Sequence, residues 1–275
     1  MSSGELRFVG SELRLVFGRR RNQMLLLALA AIPVVIGLAI RFAAHPHGDG
    51  GGGPAFIGQV AGNGLVLAFA ALIVVLPFFL PLAVSVVAGD AIAGEANTGT
   101  LRYLLVVPVA RGRLIVVKYV GILAFALVAA LLVAAAAVVI GVLLFPVGPV
   151  TLLSGTEVSF AAALWRVLLV ACYVGAMLAG VGAIGLFIST LTEVPIAAMA
   201  ATAVVPIAAQ ILGQIPQIAW LHPWLPTRWW FAFGDLLRAP IATGDITRGL
   251  LSQLGYVVVV GLLAWARLTT KDVSS

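Results

Sequence analysis

Residues 89–118 read GDAIAGEANTGTLRYLLVVPVARGRLIVVK. Four cations lie in this stretch, Arg102, Arg111, Arg113 and Lys118, and a long apolar segment lies on each side of it. Charged side chains are costly inside a lipid bilayer, so such a stretch belongs at a membrane surface between two spans. We therefore interpret it as a cytoplasmic surface on which a partner docks.

The composition is that of a polytopic membrane protein. Hydrophobic residues make up 62% of the 275 residues and charged residues only 9%, and the mean hydropathy is +1.16. The net charge is +6, but the cations flank apolar segments instead of forming one basic face. We interpret them as topology signals and not as a nucleic-acid site. The single cysteine, Cys172, excludes an intrachain disulfide.

The apolar segments predict an all-α fold. A hydrocarbon core of roughly 30 Å requires about 20 apolar helical residues to cross it. Six segments meet this length: 24–42, 64–88, 119–145, 161–188, 195–220 and 247–266. We accordingly predict an interfacial segment at 1–23, a membrane domain at 24–266 and a tail at 267–275.

The distribution of cations predicts the orientation. Six spans place both termini on one side, and most of the lysines and arginines fall on that side, so both termini are expected in the cytoplasm. The arginines that oppose this distribution are Arg41, Arg166, Arg228, Arg238 and Arg248.

The first residues predict an amphipathic helix at the membrane surface. Leu6, Val9 and Leu13 recur at helical spacing, while Arg7 and Arg14 lie on another face. A basic membrane anchor and a grip on a partner remain equally open as roles for this helix.

The sequence contains no phosphate-binding loop for nucleotide hydrolysis and no convincing metal site. Neither lysine, Lys118 or Lys271, has the Gly-Lys-Ser/Thr context of a phosphate-binding loop, so nucleotide hydrolysis must take place on another chain. His45 and His47 lie in a glycine-rich loop, 45–63, that should be flexible and exposed and that lacks further ligands. We identify no catalytic residue in the spans.

A spaced pattern runs through the stretch 89–118: Glu95, Gly99, Thr100, Leu101, Leu104, Leu105, Pro108, Val109, Arg111, Arg113 and Lys118. It resembles the motif of type-2 ABC exporter permeases. In that family a Glu is followed by a short polar gap, Gly-Thr-Leu, a Leu-Leu pair, Pro-Val, a basic pair and a Lys at the next span.

This resemblance implies a complete architecture. An N-terminal interfacial helix, a cytoplasmic coupling helix between the hairpin of helices 1 and 2 and helix 3, and an outer re-entrant region before helix 6 would accompany the six spans. The chain would be the permease subunit of an exporter in the bacterial plasma membrane, moving a hydrophobic or amphipathic substrate out of the cytoplasm or inner leaflet. A separate P-loop ATPase would bind ATP and Mg, and a second permease chain would complete a homodimer or heterodimer among membrane lipids.

The residues themselves are compatible with a coupling helix. Asn97 or Thr98 can cap a short helix that runs through Val107, and Pro108 ends it. Its leucines would form one apolar face suited to a groove on a partner. The cations would meet phosphate headgroups or acidic partner residues, although ordinary boundary charges are the alternative.

Two features of the later spans bear on transport. Gln210, Gln214 and Gln217 recur at i, i+4 and i+7, which predicts one polar helix face lining the translocation path, with ordinary interhelical bonding as an equal alternative. A row of small residues, Ala171, Gly175, Ala179 and Ala183, predicts close helix packing within the subunit more than a dimer interface.

The cluster Trp220, Trp224, Trp229 and Trp230 beyond the fifth span predicts an interfacial belt. A membrane-embedded enzyme and a non-transporting sensor or assembly factor are the alternative functions. Co-purification of a P-loop ATPase whose hydrolysis this chain stimulates would discriminate them.

Overall fold

A computed structural model of the chain describes residues 3–43, 55–99 and 111–270. Helices dominate these residues: α1 Ser3–Gly18, α2 Arg20–Ala43, α3 Ala55–Gly62, α4 Val66–Val75, α5 Phe79–Asn97, α6 Arg111–Leu144, α7 Phe160–Met177, α8 Ala179–Leu191, α9 Pro195–Leu212 and α10 Gly244–Thr270. The segments Pro216–Trp224 and Trp230–Leu237 are 3-10 helices. Strands β1 Val150–Thr151 and β2 Glu157–Val158 form an antiparallel hairpin in which Val150 lies opposite Val158.

Among the described residues, six helical segments are long and apolar enough to cross a membrane, which confirms the all-α membrane fold. These segments are Arg20–Phe42, Phe79–Asn97, Gly112–Leu144, Phe160–Leu191, Pro195–Leu212 and Gly244–Thr270. Their bounds differ most from the prediction at the second span. The predicted segment 64–88 contains α4, a turn at 76–78 and only the first half of α5, which continues to Asn97.

The turn between α4 and α5 has an identifiable cause in two prolines. Pro81 has no amide hydrogen to donate to the carbonyl of Pro77, four residues earlier, so that carbonyl needs another partner. The side-chain amide of Gln210, on α9, donates a hydrogen bond to it. The bend in the second span is therefore fixed by a contact with the fifth.

The fourth span also bends, at Leu178 between α7 and α8. The backbone groups beside the bend are bonded by side chains from other spans. Gly180 donates its amide hydrogen to Oε1 of Gln253 at 2.9 Å, and the carbonyl of Ala179 accepts from the hydroxyl of Tyr119 at 3.1 Å.

Small residues let the fourth span approach its neighbours. A Cβ on Gly175 would lie 3.0 Å from the Cα of Leu127 on α6, and one on Gly185 would lie 2.6 Å from the Cβ of Ala88 on α5. Ala171 and Ala183 are buried as well. Three of the four residues in the predicted row, Ala171, Gly175 and Ala183, are therefore buried within the subunit, which supports the interpretation of the row as intrasubunit packing.

The core of the bundle centres on α6. This helix packs against α1, α2, α4, α5, α7, α8 and α10, and Phe125, Ala129 and Val133 are completely buried on it. The helix α5 is enclosed between α8 and α9. Large apolar side chains of α2, α9 and α10 remain exposed, as expected for faces that meet lipid or another chain.

Two expectations about the edges of the bundle need correction. The loop 45–63 is not wholly flexible and exposed, because residues 55–62 form α3 and Val60 is completely buried. Trp230 does not belong to an interfacial belt, since it is only 1% exposed and packs in the core. Trp220 and Trp224 are each 74% exposed.

We predict that Gly64→Ala destabilises the protein. A Cβ on Gly64 would lie 2.2 Å from the carbonyl oxygen of Gly141, a backbone atom of α6 that cannot rotate away. Overpacking of this kind costs typically about 1–3 kcal/mol, so the unfolding temperature in detergent should fall. Gly62→Ala is the matched control, because a Cβ there meets nothing within 4 Å. Equal unfolding temperatures for the two variants would contradict the close helix contact.

Candidate functional site: a charge cluster at the base of the docking stretch

Residues 89–118, which we name the docking stretch after their predicted role, include the second half of α5 and the start of α6. Residues 100–110 lie outside the described residues, and with them Thr100, Leu101, Leu104, Leu105, Pro108 and the predicted coupling helix. Glu95, Gly99, Arg113 and Lys118 are described, and α6 begins at Arg111.

Gly99 has a structural role in this pattern. Its φ of +72° is left-handed, a conformation that glycine adopts without strain. Its amide hydrogen donates to the carbonyl of Ala96 at 3.0 Å, directly after the last turn of α5. A glycine at this place is the common end of a helix, so Gly99 marks where the chain leaves the second span.

Lys118 joins three helices by ion pairs. Its Nζ lies 2.9 Å from Oε2 and 3.1 Å from Oε1 of Glu12 on α1, and it contacts the carboxylate of Glu95 on α5 directly. The Lys118 side chain is only 4% exposed. Glu95 and Lys118, the first and last residues of the predicted motif, are thus brought together.

A second ion pair anchors the junction of α1 and α2. Asp90, on α5, accepts a hydrogen bond at 2.8 Å from Nη2 of Arg21 and contacts the guanidinium of Arg19. The side-chain amides of Asn22 and Gln23 donate to the carbonyls of Val16 and Phe17 at 2.7 and 3.0 Å. The last carbonyls of α1 have no hydrogen-bond partners within the helix, and these two side chains supply them. The bonds stabilise the junction between α1 and α2.

The base cluster, as we name these groups together, contains three carboxylates and three cations: Glu12, Asp90, Glu95, Arg19, Arg21 and Lys118. Removing one member of a buried pair typically costs about 3–5 kcal/mol, because the remaining charge is left without compensation. The cluster therefore resists separation of α1, α5 and α6.

Ser189 connects the fourth span to the same part of α5. Its hydroxyl donates to the carbonyl of Gly89 at 2.7 Å and accepts from the amide of Ala93 at 2.8 Å. Gly89 also allows α9 to approach, since a Cβ there would lie 2.6 Å from the amide nitrogen of Met199. The end of α5 is thus connected to both α8 and α9.

A profile of the family described as ABC-2 family transporter protein matches residues 19–217. This chain belongs to that family. It is a multi-pass membrane permease of an ABC transporter and not itself an enzyme. No curated protein gives a match to it.

The matched region contains all of the base cluster except Glu12. Sequence reasoning found Glu95 and Lys118 in this permease but missed the part played by Glu12 and Asp90. The available signal for Asp90 was a carboxylate at the end of an apolar span. No signal singled out Glu12, because α1 contains two glutamates and two arginines. Within the described ranges, no group of three or more His, Cys, Asp or Glu side chains is arranged to hold a metal ion.

The predicted glutamine face of the permease does not form. The helix α9 ends at Leu212, so Gln214 lies beyond it and Gln217 lies in a 3-10 helix. The prediction of one shared helical face is wrong, because the chain turns at Gly213 and the spacing no longer follows a helix. Gln210 bonds to the carbonyl of Pro77, which is the interhelical alternative. A role for these residues in the translocation path stays a prediction.

The region between α9 and α10 is anchored by side chains of the spans. Tyr173 donates its hydroxyl to the carbonyl of Trp229 at 2.8 Å, and the amide of Gln253 donates to the carbonyl of Pro226 at 2.8 Å. Arg166 donates to the carbonyl of Arg238 at 3.0 Å. Gln253 therefore links this region directly to the bend of the fourth span, although its depth in the membrane stays a prediction.

We predict that Lys118→Met destabilises the permease by about 3–5 kcal/mol, because it removes the buried cation that pairs with the carboxylates of both Glu12 and Glu95. A triple variant, Lys118→Met with Glu12→Met and Glu95→Met, should recover most of this loss, since it removes all three charges and keeps similar side-chain volumes. Thermal unfolding in detergent measures both effects.

Arg238→Met is the control for this prediction, because the pair of Arg238 with Asp235 is largely exposed and such pairs contribute only about 0–1 kcal/mol. If Lys118→Met were no more destabilising than Arg238→Met, the base cluster would not hold the three helices together.

Proposed function

We propose that this permease is the membrane half of an ATP-driven exporter and that the residues between Glu95 and Lys118 are its contact with a separate ATPase. Membership of the ABC-2 family supports an ATPase partner in the ABC system. The partner would carry the phosphate-binding loop that this chain lacks and would bind ATP and Mg. The observation that carries the proposal is the buried contact of Lys118 with Glu12 and Glu95.

The contact gives the docking stretch a mechanical role. A load applied to residues 96–110 reaches α5 and α6 together, because the chain enters the stretch from one and leaves it into the other. The base cluster adds α1 to this unit through Glu12 and the start of α2 through Asp90. When two ATPase subunits close, the three connected helices would move together instead of bending one by one.

The packing passes this movement to the rest of the bundle. The helix α5 contacts α8 and α9, and α6 contacts α2 and α7. Several of these contacts are made by small residues, so the helices can shift relative to each other without repacking of large side chains. The bends at Leu178 and at residues 76–78 are places where such a shift can be absorbed. This movement would switch the bundle between inward-facing and outward-facing or occluded states.

The assembly we propose contains a second permease chain, identical or related, surrounded by lipid in the bacterial plasma membrane. The exposed apolar faces of α2 and α9 are available to meet it. Residues 1–23 and 267–275 would lie in the cytoplasm and residues 24–266 would form the permease domain. The apolar interior favours a hydrophobic or amphipathic substrate, exported from the cytoplasm or the inner leaflet.

We predict that replacing the leucine pair of the docking stretch, Leu104→Glu with Leu105→Glu, abolishes stimulation of ATP hydrolysis. Charges on that face would oppose insertion into an apolar groove on the ATPase. The measurement is hydrolysis by co-expressed candidate P-loop ATPases, with and without the permease in proteoliposomes. We expect binding to the ATPase to weaken by about tenfold or more.

Leu153→Glu is the control, because Leu153 is 68% exposed and lies beyond α6, at the opposite end of the bundle from the docking stretch. Normal stimulation by the leucine-pair variant would refute docking through this stretch. Failure of every co-expressed ATPase to bind the native permease would refute the exporter assignment itself.

A further inference from the structure

A cavity of about 670 Å³ lies beside the first half of α10. Leu251, Gly255 and Val259 form its wall on α10, and the rings of Trp224 and Trp229 face them from the preceding region. Ligand cavities in proteins typically measure about 300–1,000 Å³ and have mostly apolar walls with a few polar groups. This cavity has those properties, and neither the docking stretch nor the base cluster contributes to it.

The length of the cavity matches one leaflet of a bilayer. Its lining on α10 runs from residue 248 to residue 260, which spans about 18 Å at about 1.5 Å per residue. One half of the hydrocarbon core measures about 15 Å. The far end of α10 lies near the docking stretch, because Trp265 contacts Gly112 at the start of α6. The cavity therefore lies in the leaflet opposite the docking stretch.

Positive charge lies beside the cavity. Arg248 lines the cavity, whereas Arg228 does not line it but lies over Trp229, a residue that does. The guanidinium carbons of Arg228 and Arg248 lie 5.5 and 6.0 Å from the centre of the Trp229 ring. Arg248 forms an exposed ion pair with Asp245 at 3.1 Å. Among the described residues, no carboxylate lies within ion-pair distance of Arg228. Two cations therefore face one anion where the chain meets the lipid headgroups.

We propose that this cavity binds an anionic phospholipid of that leaflet. Its phosphate would lie at Arg228 and Arg248, where guanidinium groups provide charge-assisted hydrogen bonds, and one acyl chain would lie along α10 against Leu251 and Val259. The proposal also gives a reason for two arginines that oppose the positive-inside distribution. It depends on the six-span arrangement and not on coupling to an ATPase.

Gly255 allows a direct test of the acyl-chain site. A Cβ on Gly255 meets nothing within 4 Å, so Gly255→Leu projects a side chain into the cavity without straining the helix. Gly261→Leu is the matched control, because Gly261 lies on the same helix, is equally open and does not line the cavity. The experiment counts phosphatidylglycerol and phosphatidylcholine molecules that remain on purified permease by native mass spectrometry.

We expect the native protein and Gly261→Leu to retain phosphatidylglycerol, and Gly255→Leu to retain about tenfold less of it. Arg228→Gln with Arg248→Gln should weaken the preference for phosphatidylglycerol over phosphatidylcholine by about 10- to 30-fold. Arg238→Gln is the control for charge, because Arg238 pairs with Asp235 and, unlike Arg228 and Arg248, is not placed over the Trp229 ring.

Equal retention of phosphatidylglycerol by Gly255→Leu and Gly261→Leu overturns the proposal, and so does a native protein without preference between the two lipids. If Gly255→Leu failed to fold, the double variant Arg228→Gln with Arg248→Gln would test the proposal. An unchanged preference for phosphatidylglycerol in that variant would overturn it. Stimulation of an ATPase, measured on the same preparations, reports separately on the exporter assignment.

Discussion

The buried ammonium of Lys118 is the interaction on which the arrangement at the membrane surface depends. A charge that is 4% exposed is stable only when opposite charges come to it, and here the two carboxylates come from different helices, Glu12 on α1 and Glu95 on α5. Because Lys118 itself lies on α6, the requirement for charge compensation becomes a requirement that three helices stay in contact. The pair of Asp90 with Arg19 and Arg21 extends the same constraint to the start of α2.

A second constraint, the absence of water in the bilayer, explains the polar side chains deeper in the bundle. A bend in a spanning helix releases backbone groups, and these must find partners within the protein. Gln210 bonds the carbonyl released at Pro77, and Gln253 bonds the amide of Gly180. Each amide side chain thus connects a bend in one span to another span. The bends are stable in the folded protein and still offer places where helices can change direction during transport.

The sequence was sufficient to predict the large features of the fold. It was not sufficient to predict contacts between residues that are far apart in the chain. Hydropathy located six spans because a bilayer imposes a minimum apolar length, and the motif glycine fell at the end of α5, where a left-handed residue is needed. The prediction of a shared glutamine face was wrong because the spacing of Gln210, Gln214 and Gln217 does not indicate whether the helix continues. Gly213 and Pro216 are the residues that signal its end. The pairing of Glu12 with Lys118 joins residues far apart in the chain, so no local pattern predicts it. Residues 100–110, which carry most of the motif, remain a prediction.

The central claim is that a load on the docking stretch reaches α1 through Lys118, and hydrogen exchange of the α1 amides tests it most directly. Exchange would be measured by mass spectrometry on the permease bound to its ATPase, with and without ATP. It would be repeated on the triple methionine variant of Glu12, Glu95 and Lys118, which lacks the ionic connection. The account predicts that ATP changes exchange in α1 of the native protein and that the variant loses this change while the ends of α5 and α6 still respond. An equal response of α1 in both proteins would contradict it.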